Sequence, residues 1–240
     1  MIEAVTFDFW ETLIHEAPLT MREGQIRGWV EALHAGGIDV TRDDVAAALA
    51  ANWQVFDERW AANDGQHTPV DAVAFMCGHL GLDAPDALRG ELVNVFTRVG
   101  ETAPLELAPG IQECLVRLRG AGVAVGIVCD VGMTPAPTLR LRLERHGVLE
   151  HFGGWAFSDE TGWFKPAPEA FAPALRALGV SDPRRAAHVG DRRRTDVAGA
   201  RALGMVSVRY AGWYDDPAEN GAEADHVLTD HRDLCAALGL

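Results

Sequence analysis

Lysine is almost absent from this 240-residue chain: Lys165 is the single one, and every other basic side chain apart from histidine is arginine. Schiff-base chemistry on a lysine is therefore confined to one position. Cysteine is sparse as well. Cys77, Cys114, Cys129 and Cys235 lie far apart and form no C-x-x-C pair, which argues against a zinc site and a disulfide framework. Free thiols fit a reducing compartment. No apolar run approaches the ~20 residues of a membrane span. Nor does the chain open with a basic region, a hydrophobic stretch and a small-residue cleavage site, so a cytoplasmic location without a membrane partner is expected. Positive charge is in deficit, with a formal net charge of −14. The electrostatic attraction that drives non-specific binding to nucleic acid would here be a repulsion, so no nucleic-acid partner is expected. A small anionic substrate would need a local basic patch or a metal. Oligomeric state is not encoded in any of these patterns.

The hydrophobic content of 48% is enough for a sizeable core, as one large domain or a core with a smaller inserted one. Ala4-Val5-Thr6-Phe7 is a short apolar and β-branched run that ends in Asp8. It reads as a buried strand with a carboxylate at its carboxyl end. Ligands of open α/β sheets bind at such ends, which makes Asp8 a candidate nucleophile or metal ligand. An acid just past a strand can equally be a helix N-cap.

From about Met21 to Gly100 the periodicity is helical, with helices expected at 21–35, 41–61, 70–80 and 85–99. Thr41 before Arg42-Asp43-Asp44 is a good N-cap. Trp29, Trp53, Phe56, Trp60, Phe75 and Phe96 recur on helical spacing and read as core packing. Arg22, Arg27, Arg59 and Arg98 are candidate specificity residues in this block, with nothing to choose among them.

From Pro104 strands alternate with helices, the pattern of a parallel sheet with crossover helices. Strands are expected at 123–128, 155–157, 186–189, 206–208 and 225–228, and helices at 110–120, 137–146, 168–178, 195–203 and 231–238. Polar groups follow several strand ends: Asp8, then Cys129 and Asp130, then Asp191 and Asp196, with Lys165 in a loop between. Several carboxylates at one sheet edge repel each other unless a cation or a pKa shift relieves them. Mg²⁺, a hard ion that takes carboxylate and phosphate oxygens, suits them. His188, inside an apolar strand, reads as a satisfied core histidine, and the run Arg192-Arg193-Arg194 as a solvated loop face or, for one of the three, a contact to a substrate phosphate. Asp130 reads as a helix cap or a pocket residue, and His15 as a packing or substrate-facing residue.

This order of motifs resembles the haloacid dehalogenase-like hydrolase superfamily. Asp8 matches its nucleophilic aspartate, Cys129 its second-motif Ser/Thr, Lys165 its third-motif lysine, and Gly190-Asp191 through Asp196 its G-D-x-x-x-x-D. The resemblance implies an α/β fold: a Rossmann-like core of residues 1–14 and 101–240, with a helical cap, 15–100, inserted after the first strand. It also implies a Mg²⁺-dependent phosphatase whose catalytic residues are Asp8 and Lys165. The metal would be held by Asp8, Asp191, Asp196 and the backbone carbonyl of Trp10, and the substrate phosphate would lie near Cys129, Asp130 and Trp10. Two residues depart from the family pattern. The phosphatases carry a proton-donating aspartate where this chain has Trp10, and a small residue where it has Glu11. Glu11 should point away from Asp8, because residues i and i+2 share a side of an extended chain, which favours a structural or solvated role. An aromatic at position 10 also resembles the metal-independent haloacid dehalogenases, whose halide leaving group needs no proton. A binding or regulatory protein with weak catalysis is the third reading.

Overall fold

A computed structural model describes residues 1–16 and 20–240, so residues 17–19 of the expected cap lie outside it. The chain forms two compact units. One comprises Met1–His15, Leu105–Asp130 and Leu143–Leu240; the other comprises Glu16–Pro104 and Val131–Arg142.

The first unit is built on a six-stranded parallel sheet. In chain order its strands are β1 (Ala4–Phe7), β4 (Ala124–Cys129), β5 (Gly154–Phe157), β6 (Ala186–Gly190), β7 (Val206–Tyr210) and β8 (His226–Leu228). β2 (Ile14–Glu16) and β3 (Leu105–Leu107) pair as a separate two-stranded sheet. The main sheet runs β5-β4-β1-β6-β7-β8. Residues of β1 and β6 are all buried, as strands covered on both faces must be, which is why they are apolar runs without alternation. The chain leaves β1 for β4 and β5 on one side and returns to β6 on the other. β1 therefore sits at the switch point where open sheets form a crevice. Around the sheet lie α5 (Ile111–Gly120), the short α7 (Ser158–Thr161), α8 (Pro168–Ala177), α9 (Ala198–Ala202) and α10 (Leu234–Ala237). Ala4, Val128, Ala156, Phe171 and Leu175 share one core between the sheet and α8.

The second unit packs four helices: α1 (Thr20–Ala35), α2 (Arg42–Ala62), α3 (Pro69–His79) and α4 (Asp86–Thr102). Thr41 caps α2 in a reciprocal capping box with Asp44, and Thr68 does the same for α3 with Asp71. Trp29 is fully buried, and its ring meets Phe96 edge-on at 6.1 Å; these two and Phe56 are core as their spacing indicates, whereas Trp53, Trp60 and Phe75 are half-buried.

Three features differ from the sequence reading. β2 and β3 are three residues each, too short for any alternation to show. The helix expected at 195–203 opens as a π-helical turn, Arg193–Val197, before α9, and that expected at 231–238 opens as a 3₁₀ turn, His231–Asp233. Val131–Arg142, which lies on the sheet side of the sequence division, groups with the helical unit and carries the start of α6 (Ala136–Arg145). Buried Arg142 accounts for this. Its guanidinium donates to the carbonyls of Gly100 and Ala103, each at 2.6 Å, and so satisfies groups left open at the end of α4.

Candidate active site

The site is assembled at the carboxyl ends of β1, β4 and β6. Phe7 is in register with Ile127 on one side and Val189 on the other, so Asp8 emerges between the two flanking strands. Its amide donates to the Val189 carbonyl at 2.8 Å, which fixes the backbone at Asp8. Gly190 follows on β6. A Cβ there would lie 2.2 Å from the Asp196 carboxyl carbon, so a residue without a side chain is required for Asp196 to fold back over the strand end. The π turn aims Asp196 inward, a common use of such turns near functional sites.

Asp8, Asp191 and Asp196 are buried, and one carboxylate oxygen from each lies within 4.8 Å of the others. One ammonium bridges two of the three. Lys165 Nζ donates to Asp8 Oδ1 at 2.7 Å and to Asp196 Oδ1 at 2.6 Å, with only 2% of the residue exposed. Asp196 is the best satisfied of the three. Its Oδ1 also receives His188 Nε2 at 2.9 Å, and its Oδ2 receives the Arg192 amide at 3.0 Å and the Thr195 hydroxyl at 3.2 Å. Asp191 is the least satisfied. Its buried Oδ2 accepts no hydrogen bond, although Arg192 Nε stands 3.0 Å away in an ion pair.

The proton affinities follow from this distribution. Burial pushes the Asp8 carboxyl up to about 7 despite the opposing pull of Lys165. Burial, then Asp196 and Asp8, push Asp191 well above the usual carboxylate range. Burial acts upward on Asp196 too, yet Lys165 and His188 outweigh it and hold this carboxylate below its ordinary range. Lys165 stays charged: burial acts against the ammonium, and Asp196 and Asp8 more than offset it. Two of the three buried carboxylates share the Lys165 ammonium and the third faces only the part-exposed Arg192, an excess of buried negative charge that protons or a cation would relieve. An oxygen-only cluster with an unsatisfied buried oxygen fits a hard divalent ion such as Mg²⁺.

The remaining expected residues lie close by. Cys129 ends β4, fully buried, with its thiol pushed well above the usual range by burial and then by Asp8. Asp130 Oδ1 accepts the Lys165 amide at 3.1 Å, a contact that anchors the lysine loop. Trp10 is half-buried, its ring edge-on to Phe9 at 5.1 Å, and its backbone bridges to Ile14. Glu11 has φ of 56°, the left-handed region where a side chain is strained. Its carboxylate meets His15 Nδ1 at 2.7 Å, and His15 in turn lies against Trp213 at 4.5 Å.

The arginine run is not a solvated face. Arg193 is buried, its amide on Asp216 Oδ2 at 2.7 Å and its guanidinium on the Asp216 carbonyl at 2.9 Å and Glu223 at 2.6 Å. Arg192 lies over the Tyr214 ring at 4.2 Å. The acids that draw Arg193 in sit over twenty residues later, which a local charge pattern does not show. His188 is indeed a buried, hydrogen-bonded histidine, but its partner is the candidate site, a link that the sequence reading missed.

A parallel sheet with acids gathered at its switch point and helices inserted after the first strand is the framework of one class of α/β hydrolases. The chain belongs to the haloacid dehalogenase-like hydrolase family, whose model matches residues 2–204. The glyceraldehyde 3-phosphate phosphatase of Methanopyrus kandleri is 31% identical over 98% of this chain and 96% of its own length. That of Pyrococcus furiosus is 35% identical over 56% of this chain, which spans only 55% of that relative. Among solved structures, the HAD phosphatase from Thermococcus onnurineus superimposes with a TM-score of 0.66 at 25% identity, covering 99% of this chain and 98% of that one. Among the described residues, no helix is long and apolar enough to cross a membrane.

Proposed function

We propose that this hydrolase is a Mg²⁺-dependent phosphatase of a small phosphorylated metabolite, with Asp8 as the nucleophile. The observation that carries the reading is the buried trio Asp8, Asp191 and Asp196, with Lys165 bridging Asp8 and Asp196. Relatives along the whole chain are named as phosphatases of a three-carbon phosphate ester, which supports the substrate size.

Asp8 and Asp191, with the Trp10 backbone carbonyl, would hold the metal, and Asp196, expected from the sequence as a further ligand, would hold the metal's waters, since both its oxygens already accept from Lys165, His188, the Arg192 amide and Thr195. When bound, the metal supplies positive charge to the phosphoryl oxygens. An Asp8 carboxylate oxygen attacks phosphorus in line, the bond from phosphorus to the leaving oxygen breaks, and an aspartyl-phosphate forms. Water then attacks phosphorus, releasing inorganic phosphate and restoring the Asp8 carboxylate. Lys165 neutralises charge on Asp8 and the phosphoryl group throughout. Cys129 stands where a hydroxyl would donate to the phosphate, and a thiol donates more weakly.

Trp10 has no acidic proton to give the leaving group, its indole N–H being only a hydrogen-bond donor, and Glu11 is engaged with His15. Losing a positioned acid lowers a rate by about 10²–10⁴-fold, so esters with good leaving groups are the favoured substrates. Halide displacement, the other reading open to an aromatic at position 10, needs no metal and so gives Asp191 no role, and the burial of Asp191 beside Asp8 favours phosphate.

The test is phosphate release from aryl, acyl and alkyl phosphates with and without Mg²⁺, alongside Asp8→Asn and Trp10→Asp. Mg²⁺-dependent turnover of activated esters is expected, lost in Asp8→Asn and extended to alkyl esters by Trp10→Asp. Halide release from 2-haloacids that survives chelation, with no phosphate release, would overturn the proposal.

A further inference from the structure

His188 occupies the centre of β6, fully buried, with both ring nitrogens engaged. Nε2 lies 2.9 Å from Asp196 Oδ1, and Nδ1 lies 2.9 Å from Thr6 Oγ1. An ionised carboxylate can only accept, so the Nε2 atom carries the proton in that contact. With that proton on Nε2, Nδ1 of a neutral ring accepts, and the Thr6 hydroxyl, 2.9 Å from Nδ1 against 3.4 Å from the Ala187 carbonyl, is placed to donate to it. Thr6 and His188 are direct register partners on β1 and β6, and Thr6 is two residues before Asp8 on the same side of its strand. Phe171 closes the far side of the imidazole, edge-on at 5.0 Å.

A continuous chain of contacts results: Thr6 hydroxyl, His188 ring, Asp196 carboxylate, Lys165 ammonium, Asp8 carboxylate. Lys165 is shared almost evenly between Asp196 at 2.6 Å and Asp8 at 2.7 Å. A donor on Asp196 lowers that carboxylate's demand for the ammonium. Without the imidazole, Asp196 Oδ1 would keep Lys165 as its sole donor and draw it away from Asp8.

Resting on the reading of Asp8 as nucleophile, we propose that His188 is a positioning residue, held as the Nε2–H form by Thr6, which fixes Asp196 and thereby sets Lys165 against Asp8. It touches neither substrate nor reacting atoms. Its removal should therefore lower kcat and leave KM near its original value.

The experiment compares wild type, His188→Leu, His188→Gln and Thr6→Val. Supporting partners of this kind are worth about 10–100-fold in activity. His188→Leu is expected to lose that much kcat with KM changed by less than about 3-fold, and His188→Gln, whose amide can donate to Asp196, to recover most of the loss. Retained kcat in folded His188→Leu overturns the proposal, and so does His188→Gln performing no better than His188→Leu. Should His188→Leu not fold, ¹⁵N NMR of the metal-free wild-type ring decides the matter. A protonated Nε2 that loses definition in folded Thr6→Val supports the chain, and a wild-type ring protonated on Nδ1 alone overturns it. The NMR arm needs no turnover. A wild type that cleaves no phosphate ester would defeat the proposed function while leaving the tautomer result to judge this inference separately.

Discussion

Removing one negative charge from the carboxylate trio should stabilise the metal-free protein while abolishing its response to metal. In Asp191→Asn the buried Oδ2, which accepts no hydrogen bond in the native site, is exchanged for a neutral amide. Two unit charges 4.8 Å apart, the spread of this cluster, repel by about 3 kcal/mol at an effective dielectric of 20. Lys165 cancels roughly one of the two neighbouring charges, and the part-exposed Arg192 offsets a fraction of the remainder. The net gain expected is about 2 kcal/mol, which for a chain of this size raises Tm by roughly 4–8 °C. The sign depends on pH in a defined way. The folded Asp191 carboxyl titrates above its ordinary value of 3.8, so its protonated form favours the fold. Its contribution is complete below 3.8 and is lost as pH rises through the folded value. The Tm advantage of Asp191→Asn in chelator should therefore widen as pH is raised from weakly acidic to weakly alkaline. Thermal melts across that range, with chelator and with excess Mg²⁺, measure both effects. Wild type should gain stability from Mg²⁺ and Asp191→Asn should not. A variant less stable than wild type in chelator at alkaline pH would refute the claim of charge excess.

The cluster's buried ammonium gives the opposite result. Lys165→Met leaves Asp8 and Asp196 buried without their ammonium and should cost about 3–5 kcal/mol, read as a lowered denaturant midpoint. Cys129→Ser supplies a stronger donor beside Asp8 and should raise kcat on aryl phosphates several-fold with little change in stability; a lower kcat in steady-state assays would contradict its assignment. His231, whose Nε2 donates to the Thr12 carbonyl at 2.8 Å, is pushed down by burial to about 4 from 6.5. Its neutral form favours the fold, so that contribution is complete above 6.5 and is lost as pH falls through 4, about 3 kcal/mol in all. His231→Gln should flatten the fall in stability over that window, as urea melts at stepped pH would show.

What the sequence reveals and what it hides divide along physical lines. Ala4–Phe7 and Ala186–Gly190 are legible because strands buried on both faces must be apolar, and the acids after them stand out against that background. The four helices of the second unit show through their period, and Thr41 through its capping chemistry. Arg193 is illegible because its partners, Asp216 and Glu223, arrive from a distant loop. His188 looks like any core histidine until strand pairing sets it beside Thr6 and the π turn brings Asp196 back across the strand end. The same holds for Glu11. Its pairing with His15 and its left-handed backbone belong to a tight turn that no periodicity announces.

In the proposed reaction Asp8 takes the phosphoryl group. Rapid acid quench of the enzyme turning over an acyl phosphate with Mg²⁺, followed by mass spectrometry of the peptide that carries Asp8, detects that intermediate. One phosphoryl group is expected on Asp8, labile to hydroxylamine and missing from Asp8→Asn, which does not turn over. Turnover that persists in Asp8→Asn, or a phosphoryl group on another residue, would contradict it.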